Sequence, residues 1–196
     1  MSRLVILRHG NTFGTGEPPR RIGARTDLPL TEEGRAQARR VGRYFAALGW
    51  RFSEIRTAPL ARTRETAALV AAALPDAPPL TVDEGLAEID HGPDEGLSEA
   101  AVLARLGAAA IEAWDRARIV PPGWQVDPGR RIAWWRARLA EPAGDRLFVT
   151  SNGAARFALA DLPPPPSLKL RTAAWGEIVT DGTATRLVAW DARPPD

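Results

Sequence analysis

An arginine, a histidine and a glycine, Arg8-His9-Gly10, follow directly on the apolar run 4–7, with Asn11-Thr12 behind them. The run reads as a buried strand that delivers the tripeptide to a sheet edge. Ligands of open α/β sheets gather beyond the carboxyl ends of the strands, where a histidine is both accessible and rigidly held. Taken alone, a histidine beside a glycine is more often a structural or surface residue than a nucleophile. Three other places carry chemistry that bears on the choice. Arg62 stands at the start of a predicted helix, Glu88 and His91 share the acidic stretch 83–96, and Ser151-Asn152-Gly153 closes a second apolar run, 147–150. That last placement repeats the geometry of the opening. Arg20, Arg21 and Arg25 lie close behind the tripeptide and could reach an anion, although exposed charge also explains them.

The elements that must position these residues are legible from caps and breaks. Residues 11–30 are rich in Gly, Pro, Arg and Thr and read as a loop over the carboxyl end of the first strand. Thr31 is placed to cap a helix with Glu32 and Glu33 in its first turn, Ala38, Val41, Phe45 and Leu48 on one face, and Gly49 at its end. A short strand is expected at 54–57, then a helix opened by Pro59, carrying Arg62 in its first turn and running to about Leu74 before Pro75. A further strand is expected at 80–82, and the Gly-punctuated segment 83–96 reads as a second loop at the ligand edge. Ser98 suits the cap of a third helix, and 130–139 the body of another, with Trp134 and Trp135 as packing residues. After the strand 147–150, a helix over 154–159 is stopped by the four prolines 163–166. The alternating runs 177–180 and 185–190 flank Asp181-Gly182-Thr183-Ala184 as a hairpin.

Composition narrows the function classes. The chain has 196 residues and 44% apolar content, which suits one sizeable core and a single domain over 1–196. Cysteine is absent and there are two histidines, so neither a disulfide framework, a thiolate metal site nor a histidine zinc site is expected. The formal charge is only +2, and Lys169 is the one lysine among 26 basic residues. The high isoelectric point therefore reflects arginine and not a strong positive field, and nucleic acid is not an expected partner. No signal segment or membrane-spanning apolar run is evident, so a cytoplasmic protein without membrane association is expected. Homo-oligomerisation stays open, since exposed tryptophans among Trp114, Trp124, Trp134, Trp135 and Trp175 could mark an interface.

Several motifs in order resemble the histidine phosphatase (phosphoglycerate mutase-like) superfamily across nearly the whole chain. They are Arg8-His9-Gly10-Asn11-Thr12; Thr26-Asp27-Leu28-Pro29-Leu30-Thr31 with Gly34; Ala58-Pro59-Leu60-Ala61-Arg62-Thr63-Arg64-Glu65-Thr66-Ala67; and Leu86-Ala87-Glu88 followed by Gly92 and Glu95-Gly96. The resemblance implies an α/β three-layer sandwich, with a mainly parallel sheet flanked by helices. It also implies that His9 attacks phosphorus and forms a phosphohistidine, with Arg8 and Arg62 clamping the phosphoryl oxygens. Glu88 would then protonate the leaving oxygen and later deprotonate water. Asn11 and Thr12 are implied phosphate ligands, although turn formation also explains them. No cofactor or metal is implied, and the partner is a small phosphorylated substrate.

The chain departs from this pattern at residue 152, where Asn152, followed by Gly153, stands in place of the family's usual second histidine. Asparagine retains a neutral N–H donor toward the phosphate site but carries no positive charge. Loss of one transition-state donor lowers rates by about a hundredfold to a thousandfold. The expected function is hydrolysis of a small phosphomonoester, weakened by Asn152. The alternatives are a catalytically impaired phosphate-binding or regulatory protein and a phosphoglycerate mutase. Mutases of the family usually carry longer inserts, and residues 120–131 lack the common Gly-Glu-Ser pattern. His91 could swing toward the phosphate, against which stands its reading as a surface loop residue.

Overall fold

The computed structural model describes residues 2–141, 144–181 and 183–195. Residues 4–7 are apolar without alternation, as a strand buried on both faces requires. They form the middle of β1 (Ser2–Arg8), and all four are fully buried. Leu4 and Ile6 enter one apolar cluster with Phe148, Trp114 and Trp135, whereas Val5 and Leu7 enter another with Val41, Phe45 and Val70. The two clusters lie on opposite faces of the sheet, which gives three layers.

Six strands form this sheet among the described residues: β1, β2 (Glu54–Thr57), β3 (Leu80–Val82), β4 (Arg146–Thr150), β5 (Trp175–Thr180) and β6 (Thr185–Ala192), in the order β3-β2-β4-β1-β5-β6. The first four run parallel and the last two add antiparallel. Register then fixes the functional edge. Arg8 pairs with Thr150, and Thr57 with Val149 and Val82, so His9, Ser151, Ala58 and Asp83 all leave the sheet at one end. Gly182, in the turn between β5 and β6, lies outside the described residues.

The helices are α1 (Glu32–Ala47), α2 (Ala61–Ala71), α3 (Glu99–Leu106), α4 (Ala108–Ala117), α5 (Pro128–Ala140) and the single turn α6 (Asn152–Ala155), which continues as a 3-10 turn to Leu159. Thr31 caps α1 by accepting from Gly34 N–H at 3.1 Å, and Ser98 caps α3 in the same way. The α1 face holds at Ala38, Val41 and Phe45 but not at Leu48, which is 47% exposed. Leu48 is the terminal cap, so the chain is already leaving the helix before Gly49 turns at φ 69°. α2 begins two residues after Pro59 and ends before Leu74, the remainder being a turn. α4 is an element without a sequence signal. It opens from Gly107 at φ 76° with no side-chain cap.

Two glycines permit the edge to form. A Cβ on Gly10 would stand 2.4 Å from the Gly34 carbonyl oxygen, and one on Gly34 would stand 2.2 Å from that of Asn11. The exit from β1 thus crosses the first turn of α1 at backbone contact, a spacing open only to glycine. No helix of the described residues is long and apolar enough to cross a membrane.

Candidate active site

His9 is held by its backbone before its ring is considered. Its N–H donates to Thr150 O at 3.0 Å and its carbonyl accepts from Ala173 N–H at 3.1 Å. The ring is 2% exposed, with Nδ1 2.8 Å from Gly10 O. A carbonyl can only accept, so Nδ1 carries the proton and the lone pair lies on Nε2. Burial pushes the His9 pKa well below the ordinary imidazole value, and the Arg8 and Arg62 charges add to the effect against the opposing Gly10 carbonyl. The side chain is therefore a neutral imidazole at neutral pH, its tautomer set by its own backbone.

Arg8 and Arg62 flank it, and each is anchored at one end. Arg8 NH1 donates to Leu170 O at 2.8 Å. Arg62, in the first turn of α2, donates through NH1 to Thr26 O at 2.6 Å and through NH2 to Gly23 O at 3.2 Å. The Thr26 carbonyl thereby ties the segment that begins at Thr26 to Arg62. Nε of each guanidinium is buried without a hydrogen-bond partner. Burial lowers both guanidinium pKa values, and the Glu88 charge opposes it in each case. Thr66 joins the two segments, accepting from Gly10 N–H at 3.1 Å and donating to Arg62 O at 2.7 Å.

Glu88 is only 6% exposed. Its carboxylate accepts from Ile89 N–H at 2.8 Å and from Gly153 N–H at 3.3 Å. The segment is pinned from outside by Arg131 of α5, which donates to Ala87 O at 2.8 Å and Glu88 O at 3.4 Å, and by Thr150, which donates to Leu86 O at 2.6 Å. A Cβ on Gly153 would stand 2.4 Å from Glu88 Oε1. Gly153→Ala is thus expected to displace the carboxylate, with overpacking of about 1–3 kcal/mol. Thermal melting beside a turnover assay checks this, the turnover loss being larger than the stability loss.

Asn152 is tied to Arg8 through a single residue. Its Oδ1 accepts from Leu170 N–H at 2.8 Å, and Leu170 O accepts from Arg8. That bond commits the oxygen and leaves the amide N–H₂ as the donor. The Asn11 side chain is taken up by its own turn, donating to Phe13 O at 2.8 Å and accepting from Phe13 N–H at 3.4 Å. Thr12 is buried beside Arg8, where both line one cavity. His91 is not a surface residue. It is 6% exposed and packs edge-on against Trp124 at 4.5 Å, which holds the ring in place.

Trp114, Trp124, Trp135 and Trp175 are buried as well, so they line the core and not an exposed face. Arg25 pairs with Asp90 and Glu95, Arg21 with Glu99, and Arg20 with Glu17. The contributions of Leu170 and Arg131 have no sequence signature, since one acts through its peptide and the other is one arginine among many.

Both histidines are depressed chiefly by burial, which fixes the sign of a pH effect. Below about pH 6.5 an unfolded imidazole takes up a proton that the folded chain does not hold, so acidification favours unfolding. Above about pH 7 this contribution is flat. Denaturant midpoints measured from pH 8 down to pH 5 are expected to fall below about 6.5. His9→Gln and His91→Gln should each reduce that slope.

The sequence matches the histidine phosphatase superfamily (branch 1) over residues 4–193. The 2,3-bisphosphoglycerate-dependent phosphoglycerate mutase of Methylobacterium sp. (strain 4-46) is 35% identical over 168 residues, covering 81% of this chain and 79% of the relative. The 2,3-bisphosphoglycerate-dependent phosphoglycerate mutase 2 of Gloeobacter violaceus is 36% identical over 161 residues, covering 78% and 71%. Among solved structures, a mycobacterial glucosyl-3-phosphoglycerate phosphatase superposes with a TM-score of 0.78 at 24% identity, covering 99% of this chain and 100% of its own, a likeness of fold. A family match over residues 4–193, relatives at 35% and 36% identity, and a sheet edge that gathers His9, Arg8, Arg62 and Glu88 agree: the chain belongs to the histidine phosphatase superfamily.

Proposed function

We propose that the protein hydrolyses a small phosphomonoester without metal, through a phosphohistidine on His9. The observation that carries this reading is the buried His9 ring, whose Nδ1 lies 2.8 Å from Gly10 O and so leaves the lone pair on Nε2, at the sheet edge that also brings Arg8 and Arg62. In the first step the Nε2 lone pair forms the N–P bond as the bond to the leaving oxygen breaks, and Glu88, entering in its protonated form, gives that oxygen its proton and becomes the carboxylate. Water then attacks phosphorus, Glu88 takes its proton, and the N–P bond breaks to release inorganic phosphate. Arg8 and Arg62 supply the positive charge that spreads over the phosphoryl oxygens. Asn152 contributes a neutral donor in this scheme, so turnover is slow.

Phosphate release from a panel of small phosphomonoesters, with and without a chelator, tests the reading. Turnover that survives EDTA supports it, and turnover restored only by added metal opposes it. The names of the curated relatives favour a second reading, phosphate transfer between positions of one substrate. A mutase would isomerise a sugar-acid phosphate without matching release of inorganic phosphate, so product analysis in the same assay separates the two.

A further inference from the structure

Beside Arg8 a cavity of about 300 Å³ opens to solvent, with Phe13, Ile22, Arg20, Arg21 and Glu99 in its walls. We infer that this cavity takes an uncharged, hydroxyl-bearing leaving group, and that the Arg21–Glu99 ion pair selects it by neutralising the cation a carboxylate would need. The inference rests on the phosphatase reading and adds the substrate class.

Arg21 is the best-placed cation of the cavity, and its charge is already matched. Its side chain is 13% exposed, its guanidinium lies over the Trp124 ring at 5.0 Å, and NH2 is 2.5 Å from Glu99 Oε2. The pair is held in one wall, because Arg21 N–H donates to Leu97 O at 2.8 Å and Gly96 N–H to Arg21 O at 2.7 Å. Glu99 stands in the first turn of α3, the end at which a helix favours a negative side chain. Glu99 is itself 57% exposed, so the pair differs from Arg20–Glu17 in the burial of its arginine and in its shorter contact, 2.5 Å against 3.6 Å. Arg8 also lines the cavity, but in the phosphatase reading its charge is taken by the phosphoryl group. A carboxylate on the leaving group would then meet Glu99 beside an Arg21 charge already matched, and like charges at close range repel. Phe13 and Ile22 give the same space apolar surface.

Glycerol 3-phosphate and 3-phosphoglycerate are suitable probes because they differ only in a hydroxymethyl group against a carboxylate. The parent enzyme is expected to favour glycerol 3-phosphate in kcat/KM by at least about tenfold, the scale of one charge-assisted hydrogen bond. Glu99→Gln releases Arg21 and is expected to lower that ratio about tenfold through faster turnover of 3-phosphoglycerate. Glu99→Asp, which retains the charge, keeps the preference. A purely structural Glu99 would slow both esters alike and leave the ratio unmoved, which overturns the inference. A parent that prefers 3-phosphoglycerate overturns it without any variant and leaves the phosphatase reading intact. No phosphate from either ester or from an aryl phosphate overturns both.

Discussion

His9→Ala is expected to lower kcat/KM by roughly four to six orders of magnitude, the scale seen when a covalent nucleophile is removed. The magnitude follows from what else the site contains. Arg8 and Arg62 are anchored to backbone carbonyls of Leu170, Thr26 and Gly23 and not to His9, so the phosphate cradle persists without the ring. Phosphate should still bind, since the imidazole contributes no charge there, while the two-step route through an N–P bond is lost. Thermal melting separates this outcome from unfolding. A variant that folds, binds phosphate and retains more than about a hundredth of parental turnover would mean that the ring is not the nucleophile.

The second large effect runs in the opposite direction. Asn152→His is expected to raise kcat by about a hundredfold to a thousandfold, the value of one donor placed for the transition state. Histidine Nδ1 and asparagine Oδ1 branch from the same Cγ, so an imidazole at 152 can accept the Leu170 N–H that Oδ1 now accepts at 2.8 Å. Accepting at Nδ1 places the proton on Nε2, which reaches farther than the amide nitrogen. The Leu170 carbonyl that anchors Arg8 is then left undisturbed. Steady-state kinetics on parent and variant decide the point. An unchanged or lower kcat with normal melting would mean that Asn152 serves only to hold the 168–173 segment.

The parts of this site that were legible in the sequence are those where backbone and side chain carry the same message. The run 4–7 ends at Arg8-His9-Gly10, and 147–150 ends at Ser151-Asn152-Gly153. Because the two strands are parallel with Arg8 opposite Thr150, two motifs far apart in the chain must leave the sheet side by side. Thr31 and Ser98 announced their helices through short polar caps. Burial of loop residues was not legible, because an acidic stretch such as 83–96 reads as solvated until the elements packed on it are known. Glu88 and His91 are buried there by Gly153, Trp124 and Arg131, which come from three other segments. α4 escaped because Gly107 opens it by conformation and not by a side-chain cap. The link from Asn152 through Leu170 to Arg8 runs through a peptide group, which no residue type can announce.

The central claim is a phosphoryl group carried on His9, and the most direct test is to trap it. Enzyme mixed with a turned-over phosphomonoester would be quenched in alkaline denaturant, which preserves phosphohistidine, and its intact mass and peptides examined. The account predicts one added phosphoryl group, on the peptide containing residue 9, absent from His9→Ala and lost on acid treatment. Steady turnover with no adduct, or an adduct on any other residue, would contradict it.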